Sequence, residues 1–438
     1  FISELKEFLS FKSISTDSQF EIDCSNCAKW LENKITDLGF KTERIKTSGK
    51  DLVFGEREGD KKLPTILFYG HYDVQPVDPL ELWKSDPFKA EERNGRLYAR
   101  GAQDNKGQLW YVLKGIEAST KLNGLKNPIK ILIEGEEESG SGGLSTSLDK
   151  IKDKIQADVL LICDSGTLST ELSTITMGFR GLVGLEVKIY GPSKDLHSGM
   201  HGGVAPNPAH AAARLISSFH SDDGKVLVKG FYEEVKDPSD EIIKLSTELP
   251  VTDDLYESWV GIKPLAGEGK YPLSVRRGLR PTIEVNGMYS GYLGEGGKTI
   301  IPSSSTVKIT ARLVAGQIPS KTLDQIVAHI TKNVPDHFKV EFTYKEQGGP
   351  AVMVDIDSGP VKKAVSILEE ILPDKVLLMW EGGSIPVIAG LASVSGAKPL
   401  LAGFGLEEDN IHAPNESFMI DQFRKGFLFA SAFFSNYS

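Results

Sequence analysis

Through about the first 170 residues, short apolar runs bounded by turn residues alternate with amphipathic stretches at helical spacing: TILFYG, KGQLWYVLKGIEAST, IKILIEG, DVLLICD. Strands separated by helices are joined by crossovers that return the chain to the same end of a sheet. The alternation therefore predicts an α/β fold built on a mostly parallel sheet with helices on both faces. In such sheets ligands sit beyond the carboxyl ends of the strands. His71, Glu137, Glu138 and Asp164 each fall just after an apolar run.

The texture changes near Gly181. Longer segments with period-two alternation follow, LVGLEVKIYG, RPTIEVNGMYSG and STVKITARLV, with helical patterns PNPAHAAARLISSF and KTLDQIVAHITKNV among them. Such strands imply a sheet with one solvated face and one covered by helices. After KVEFTYKEQGGP the α/β texture returns with PVKKAVSILEEIL, KVLLMW and the closing helix around FRKGFLFASAFF. A chain of 438 residues exceeds what one hydrophobic core comfortably serves. The expected architecture is an α/β domain over residues 1–180 and 350–438, interrupted by a smaller α+β domain over residues 181–349.

Composition excludes several function classes. The formal net charge of -10 repels phosphate backbones and anionic lipid, and no Lys/Arg block with interleaved aromatics overrides it, so nucleic acid is not an expected partner. No apolar run approaches the ~20 residues that span a bilayer, and no membrane partner is expected. The opening FISELKEFLSFKSIS has helical spacing and internal charges, unlike the apolar core of a signal peptide. Three cysteines make no disulfide framework in a chain of this size, which favours a reducing, cytoplasmic compartment. Cys24 and Cys27 form a lone C-x-x-C, which reads as helix packing because no second pair follows.

Several polar clusters could carry chemistry. In FYGHYDVQP, His71 and Asp73 occupy alternate positions after a strand, so both side chains face one spot. In YARGAQDNKGQL, Gly101 and Gly107 bracket Asp104 just before a helical pattern, and sharp turns there could thrust the carboxylate into a cleft. ILIEGEEESGSGG sets three consecutive glutamates after a buried-looking strand, where like charges cost energy unless cations or open solvent compensate. DVLLICDSG ends a strand in Asp164, and EEDNIHAPNES puts His412 in a polar loop. Taken singly, each has a plainer reading as a surface loop, a helix cap or a solvated acidic turn. As a set, His71, Asp104, Glu138, Asp164 and His412 offer mixed nitrogen and oxygen donors that suit Zn2+, with Mn2+ or Co2+ also served. The lack of thiolates argues against a structural zinc, and two ions sharing a carboxylate would lie roughly 3.5–4 Å apart.

Five blocks in order, GHYDVQP, RGAQDNKGQ, EGEEESGS, DLHSGMHGG and NIHAPNE, resemble the co-catalytic metallopeptidases that include carnosinase, aminoacylase, carboxypeptidase G and succinyl-diaminopimelate desuccinylase. The blocks span residues 70 to 416. The longer forms GHYDVQPVDPLELWKSDPF and WEGGSIPV look most like the cytosolic dipeptidase and carnosinase branch. The resemblance implies that Asp104 bridges two divalent ions, that His71 and Asp164 complete one site, and that Glu138 and His412 complete the other. It implies that Asp73 steadies the imidazole of His71 and that Glu137 is the general base, which leaves Glu136 outside the ligand set. It further implies that His197 of the inserted domain contacts substrate across a homodimer interface, that Arg312 grips the substrate carboxylate and that Ser384 lies in a substrate-contacting loop. His201 maps to no family role and reads as structural. The first domain would then be catalytic and metal-binding, and the insert a lid and dimerisation domain that closes around substrate.

The expected activity is hydrolysis of the amide bond of dipeptides or similar short peptides by a metal-activated water, with a glutamate as base. An N-acyl-amino-acid deacylase or desuccinylase would use the same groups. A noncatalytic homologue that binds peptides is disfavoured because every matching position is filled.

Overall fold

A computed structural model describes residues 1–123, 125–373 and 375–437. The chain divides into two compact units, the first comprising Phe1–Met177, Val354–Met379 and Val387–Ser438, the second Gly178–Met353 and Trp380–Pro386.

In the first unit, four strands run parallel in the order Ile129–Glu134, Ile66–His71, Val159–Ile162, Lys398–Leu401. Every residue of Ile66–His71 and Val159–Ile162 is buried, which is why these segments read as unbroken apolar runs. The α/β class with a parallel centre is as expected from the alternation. The sheet is extended by antiparallel partners: Leu52–Arg57 and Lys41–Ile45 on one side, Leu172–Phe179 on the other. Lys41–Ile45 lies outside the strand-like runs of the sequence because an edge strand with no fully buried residue needs no apolar face.

Parallel pairing brings the carboxyl ends of the central strands to one edge. His71 is the last residue of its strand and pairs in register with Glu134, the last residue of the neighbouring one. Asp164 follows the end of Val159–Ile162 by two residues. The helix Lys106–Asn123 begins immediately after Asp104 and Asn105 and packs on the closing helix Ile420–Asn436. Their approach is close: a Cβ on Gly115 would stand 2.6 Å from that of Ala430, and one on Gly426 2.5 Å from the Tyr111 ring.

The second unit holds a four-stranded antiparallel sheet in the order Thr282–Ser290, Ser304–Leu313, Gly181–Tyr190, Lys339–Gly349. Val183, Leu185, Val187 and Ile189 alternate into its core with Val307, Ile309 and Ala311. The helices Pro208–Ser217 and Pro319–Asn333 cover that face with Leu215, Ile326 and Ile330. Period-two alternation in sequence and one-sided burial are thus the same fact.

Two outcomes follow from this packing. Gly115→Val, which forces a branched side chain between two helices, should cost about 1–3 kcal/mol of unfolding free energy, read from the denaturant midpoint. Cys24, Cys27 and Cys163 are buried, and burial pushes their thiols up to about 12, 11 and 12. The native protein should therefore show no fast-reacting thiol towards a disulfide reagent at pH 8, and all of them after denaturation.

Candidate active site

His71 is fully buried. Its Nδ1 lies 3.2 Å from Asp73 Oδ1 and 3.2 Å from the Asp73 carbonyl, while Nε2 lies 3.2 Å from Asp104 Oδ1 and 3.7 Å from Asp164 Oδ2. With Nδ1 held at Asp73, the Nε2 edge of the ring faces the other two acids. Asp73 does a second thing that spacing could not reveal. Its buried carboxylate accepts the backbone N–H of Glu137 at 3.2 Å and of Glu138 at 3.1 Å. One side chain therefore holds both the imidazole and the glutamate turn.

The three glutamates part company in that turn. Glu136 accepts from the N–H of Gly143 at 3.0 Å, in the first turn of the helix Gly142–Ile151. Glu138 Oε2 lies 3.2 Å from His412 Nε2 and accepts from the Gln75 amide at 2.8 Å. Burial pushes the Glu137 carboxyl well above its ordinary range; His71 opposes the shift, while the charges of Asp164, Asp104 and Glu138 add to it.

Asp104 meets both histidines, with Oδ1 3.2 Å from His71 Nε2 and Oδ2 3.0 Å from His412 Nε2. Burial alone would raise its pKa, but the hydrogen bonds from His412 and His71 hold it well below the usual carboxylate range. Burial, with the charge of Asp104, lifts Asp164 to about 7. Hydrogen bonds to Asp104 and Glu138 raise His412 to about 10. His412 sits on a loop where Asn410, His412 and Asn415 all take positive φ.

The five residues singled out from sequence converge as two triads that share a member: His71, Asp104 and Asp164, and Asp104, Glu138 and His412. Within each triad the candidate ligand atoms lie within 4.8 Å of one another. The donors are imidazole nitrogen and carboxylate oxygen, and crowded, largely buried carboxylates demand positive charge. Either triad can hold a divalent cation, and Asp104 can join the two.

The other residues expected at the site belong to the second unit. Arg312 Nη1 donates to Ser384 Oγ at 2.7 Å, and Ser384 Oγ donates to the Arg180 carbonyl at 2.5 Å. His197 is exposed, and its Nδ1 accepts from the N–H of Gly199 at 3.0 Å.

Sequence reasoning passed over the groups that hold the acids in place. Asn105 is buried and donates to Asp164 Oδ1 at 2.9 Å and to the Cys163 carbonyl at 2.7 Å, fixing where Asp164 points. Glu416, buried beside Arg100, accepts several N–H groups of the Asp104 loop. Both residues stand inside the motif blocks, the one signal that could have flagged them.

Comparisons with known proteins cover the chain almost from end to end. The Cys-Gly metallodipeptidase dug1 of Schizosaccharomyces pombe is 30% identical over 455 residues, covering 97% of this chain and 93% of that protein. Among solved structures, the M20 family metallo-carboxypeptidase Sso-CP2 from Sulfolobus solfataricus superposes with a TM-score of 0.90 at 31% identity, covering 100% of this chain and 98% of that one. Human carnosine dipeptidase 1 gives a TM-score of 0.80 at 25% identity, covering 99% of this chain and 96% of that one. With the family model for Peptidase family M20/M25/M40 matching residues 67–436, most of its length, this chain belongs to that peptidase family.

Proposed function

We propose that this chain is a metal-dependent dipeptidase, in which His71, Asp104 and Asp164 hold one divalent ion and Asp104, Glu138 and His412 hold the other. The observation that carries the reading is the position of Asp104, whose two carboxylate oxygens face separate imidazoles within two overlapping ligand sets. Zn2+ is the favoured occupant, since two imidazoles and three carboxylates make a borderline donor set that Mn2+ and Co2+ also accept. When bound, such ions polarise the scissile carbonyl and lower the pKa of water to about 7.

The chain's own residues supply the rest. Glu137 takes a proton from the attacking water and returns it to the leaving amine. Burial raises its affinity for the proton it takes, while the cations beside it would favour the ionised form that does the taking. Asp73 fixes the tautomer of His71 and, through the N–H groups of Glu137 and Glu138, the placement of base and ligand together. Arg312, braced by Ser384, would bind the substrate's terminal carboxylate, and His197 would contact the substrate amide from a second copy in a homodimer formed through the Gly178–Met353 unit. Buried, unpaired thiols suit a reducing cytoplasmic location.

Relatives of this chain carry names for Cys-Gly and carnosine dipeptidases and for a metallo-carboxypeptidase. A panel of free dipeptides, longer peptides and N-acetyl or N-succinyl amino acids separates these activities. Dipeptides should be turned over fastest; preference for the acylated amino acids would move the chain to the deacylases. Chelation should abolish turnover, and Zn2+ or Mn2+ should restore it. Glu137→Ala should keep both ions yet lose about 10²–10⁴ in turnover, whereas Asp104→Ala should lose metal as well, as elemental analysis would record. Full activity in Glu137→Ala would reject the assignment of the base.

A further inference from the structure

Glu416 is 1% exposed, and both of its oxygens are fully engaged. Oε2 accepts from Arg100 Nη1 at 2.8 Å and from the N–H of Gly101 at 2.9 Å; Oε1 accepts from the N–H of Gln103 at 3.1 Å and of Asp104 at 3.2 Å. Gly101, Gln103 and Asp104 lie outside any helix or strand, so their N–H groups have no ladder partners and depend on this one carboxylate. Arg100, itself 1% exposed, donates through its other terminal nitrogen, Nη2, to the carbonyl of Pro76 at 2.8 Å, on the segment that follows Asp73. The Glu416 backbone is tied to the same stretch, its carbonyl accepting the N–H of Ala99 at 3.1 Å. Glu416 stands four residues beyond His412.

We infer that Glu416 is a positioning residue for the shared ligand: its carboxylate gathers the N–H groups of the Gly101–Asp104 turn and thereby sets Asp104 against His412. The inference rests on the two-metal reading above. Because Asp104 belongs to both triads, displacing its backbone weakens both cation sites together, whereas a defect at Glu138 or Asp164 falls mainly on one. The role differs from that of a simple buried ion pair, since an ion pair with Arg100 needs neither the backbone donors nor their convergence. Replacing one oxygen by an NH2 group sets donor against donor on one side of the turn and leaves Arg100 without its counter-charge.

Calorimetric titration of Zn2+ into chelator-stripped full-length protein tests this, with circular dichroism and melting temperature as controls for folding. Wild type should take up two ions per chain; uptake of none would overturn the two-metal reading, and the inference with it. Glu416→Gln should weaken both ions by roughly 10–100-fold, the loss that outer partners of metal ligands command. The double variant Arg100→Met with Glu416→Met removes the buried charges as a pair, and it should fold while still binding both ions weakly. Recovery of wild-type affinity in the double variant would show that the carboxylate only neutralises Arg100, and would overturn the inference. So would wild-type affinity in folded Glu416→Gln. Should Glu416→Gln fail to fold, the double variant decides alone.

Discussion

The carboxylates of Asp73, Asp104, Glu134, Glu137, Glu138 and Asp164 crowd the edge where parallel strands end, with the imidazoles of His71 and His412 set among them. Apposed acids in a dry setting repel one another, and burial raises the cost of each charge. The crowding is tolerable in two ways, by taking up protons or by taking up cations. The site offers both: burial lifts Glu134 and Asp164 to about 7, and Asp164 also belongs to one of the two overlapping ligand sets. The scaffold's task is to keep these groups close against their own repulsion.

It does so with hydrogen bonds that never reach the reacting centre. Asp73 spans His71 and the glutamate turn. Asn105 orients Asp164 and accepts the His71 backbone N–H at 3.4 Å. Glu416 and Arg100 bind the Asp104 loop to the segment carrying His412. Asp73 and Glu416 satisfy backbone N–H groups of turns, and Asn105 does the same at the end of the strand Ile66–His71, so irregular loops gain the rigidity of regular structure. Precise placement of ligands on turns becomes possible because the turns are braced from below by rigid elements.

Much of this was legible in the chain. Runs such as TILFYG and DVLLICD must be buried on both faces, and strands of that kind separated by amphipathic helices leave little choice but a parallel sheet. The acids and the histidine that follow those runs then fall at the carboxyl edge, which brings His71, the glutamate turn and Asp164 to one place; the choice of Glu138 as ligand came from the family resemblance. The register among Glu136, Glu137 and Glu138 was harder, since three identical residues carry no internal contrast. Tertiary contacts separate them: Glu136 turns to the helix at Gly143, and Glu138 meets His412. Glu416 was illegible for a different reason. A side chain that acts by accepting backbone N–H groups from another loop leaves no periodicity or spacing to read.

What the sequence by itself determined was the inventory and its coarse address: which residues could bind a cation, at which strand ends they lie, and where alternation changes from α/β to one-sided strands. Those features are local, encoded in apolar period and in residue type. Only the tertiary structure decided which oxygens of Asp104 face which imidazole, which of three glutamates turns away, and that Trp380–Pro386, with Ser384, clusters with Gly178–Met353. These depend on separate turns meeting within hydrogen-bond distance, Asp104 and His412 across 308 residues of chain, and neither apolar period nor residue type encodes such a meeting.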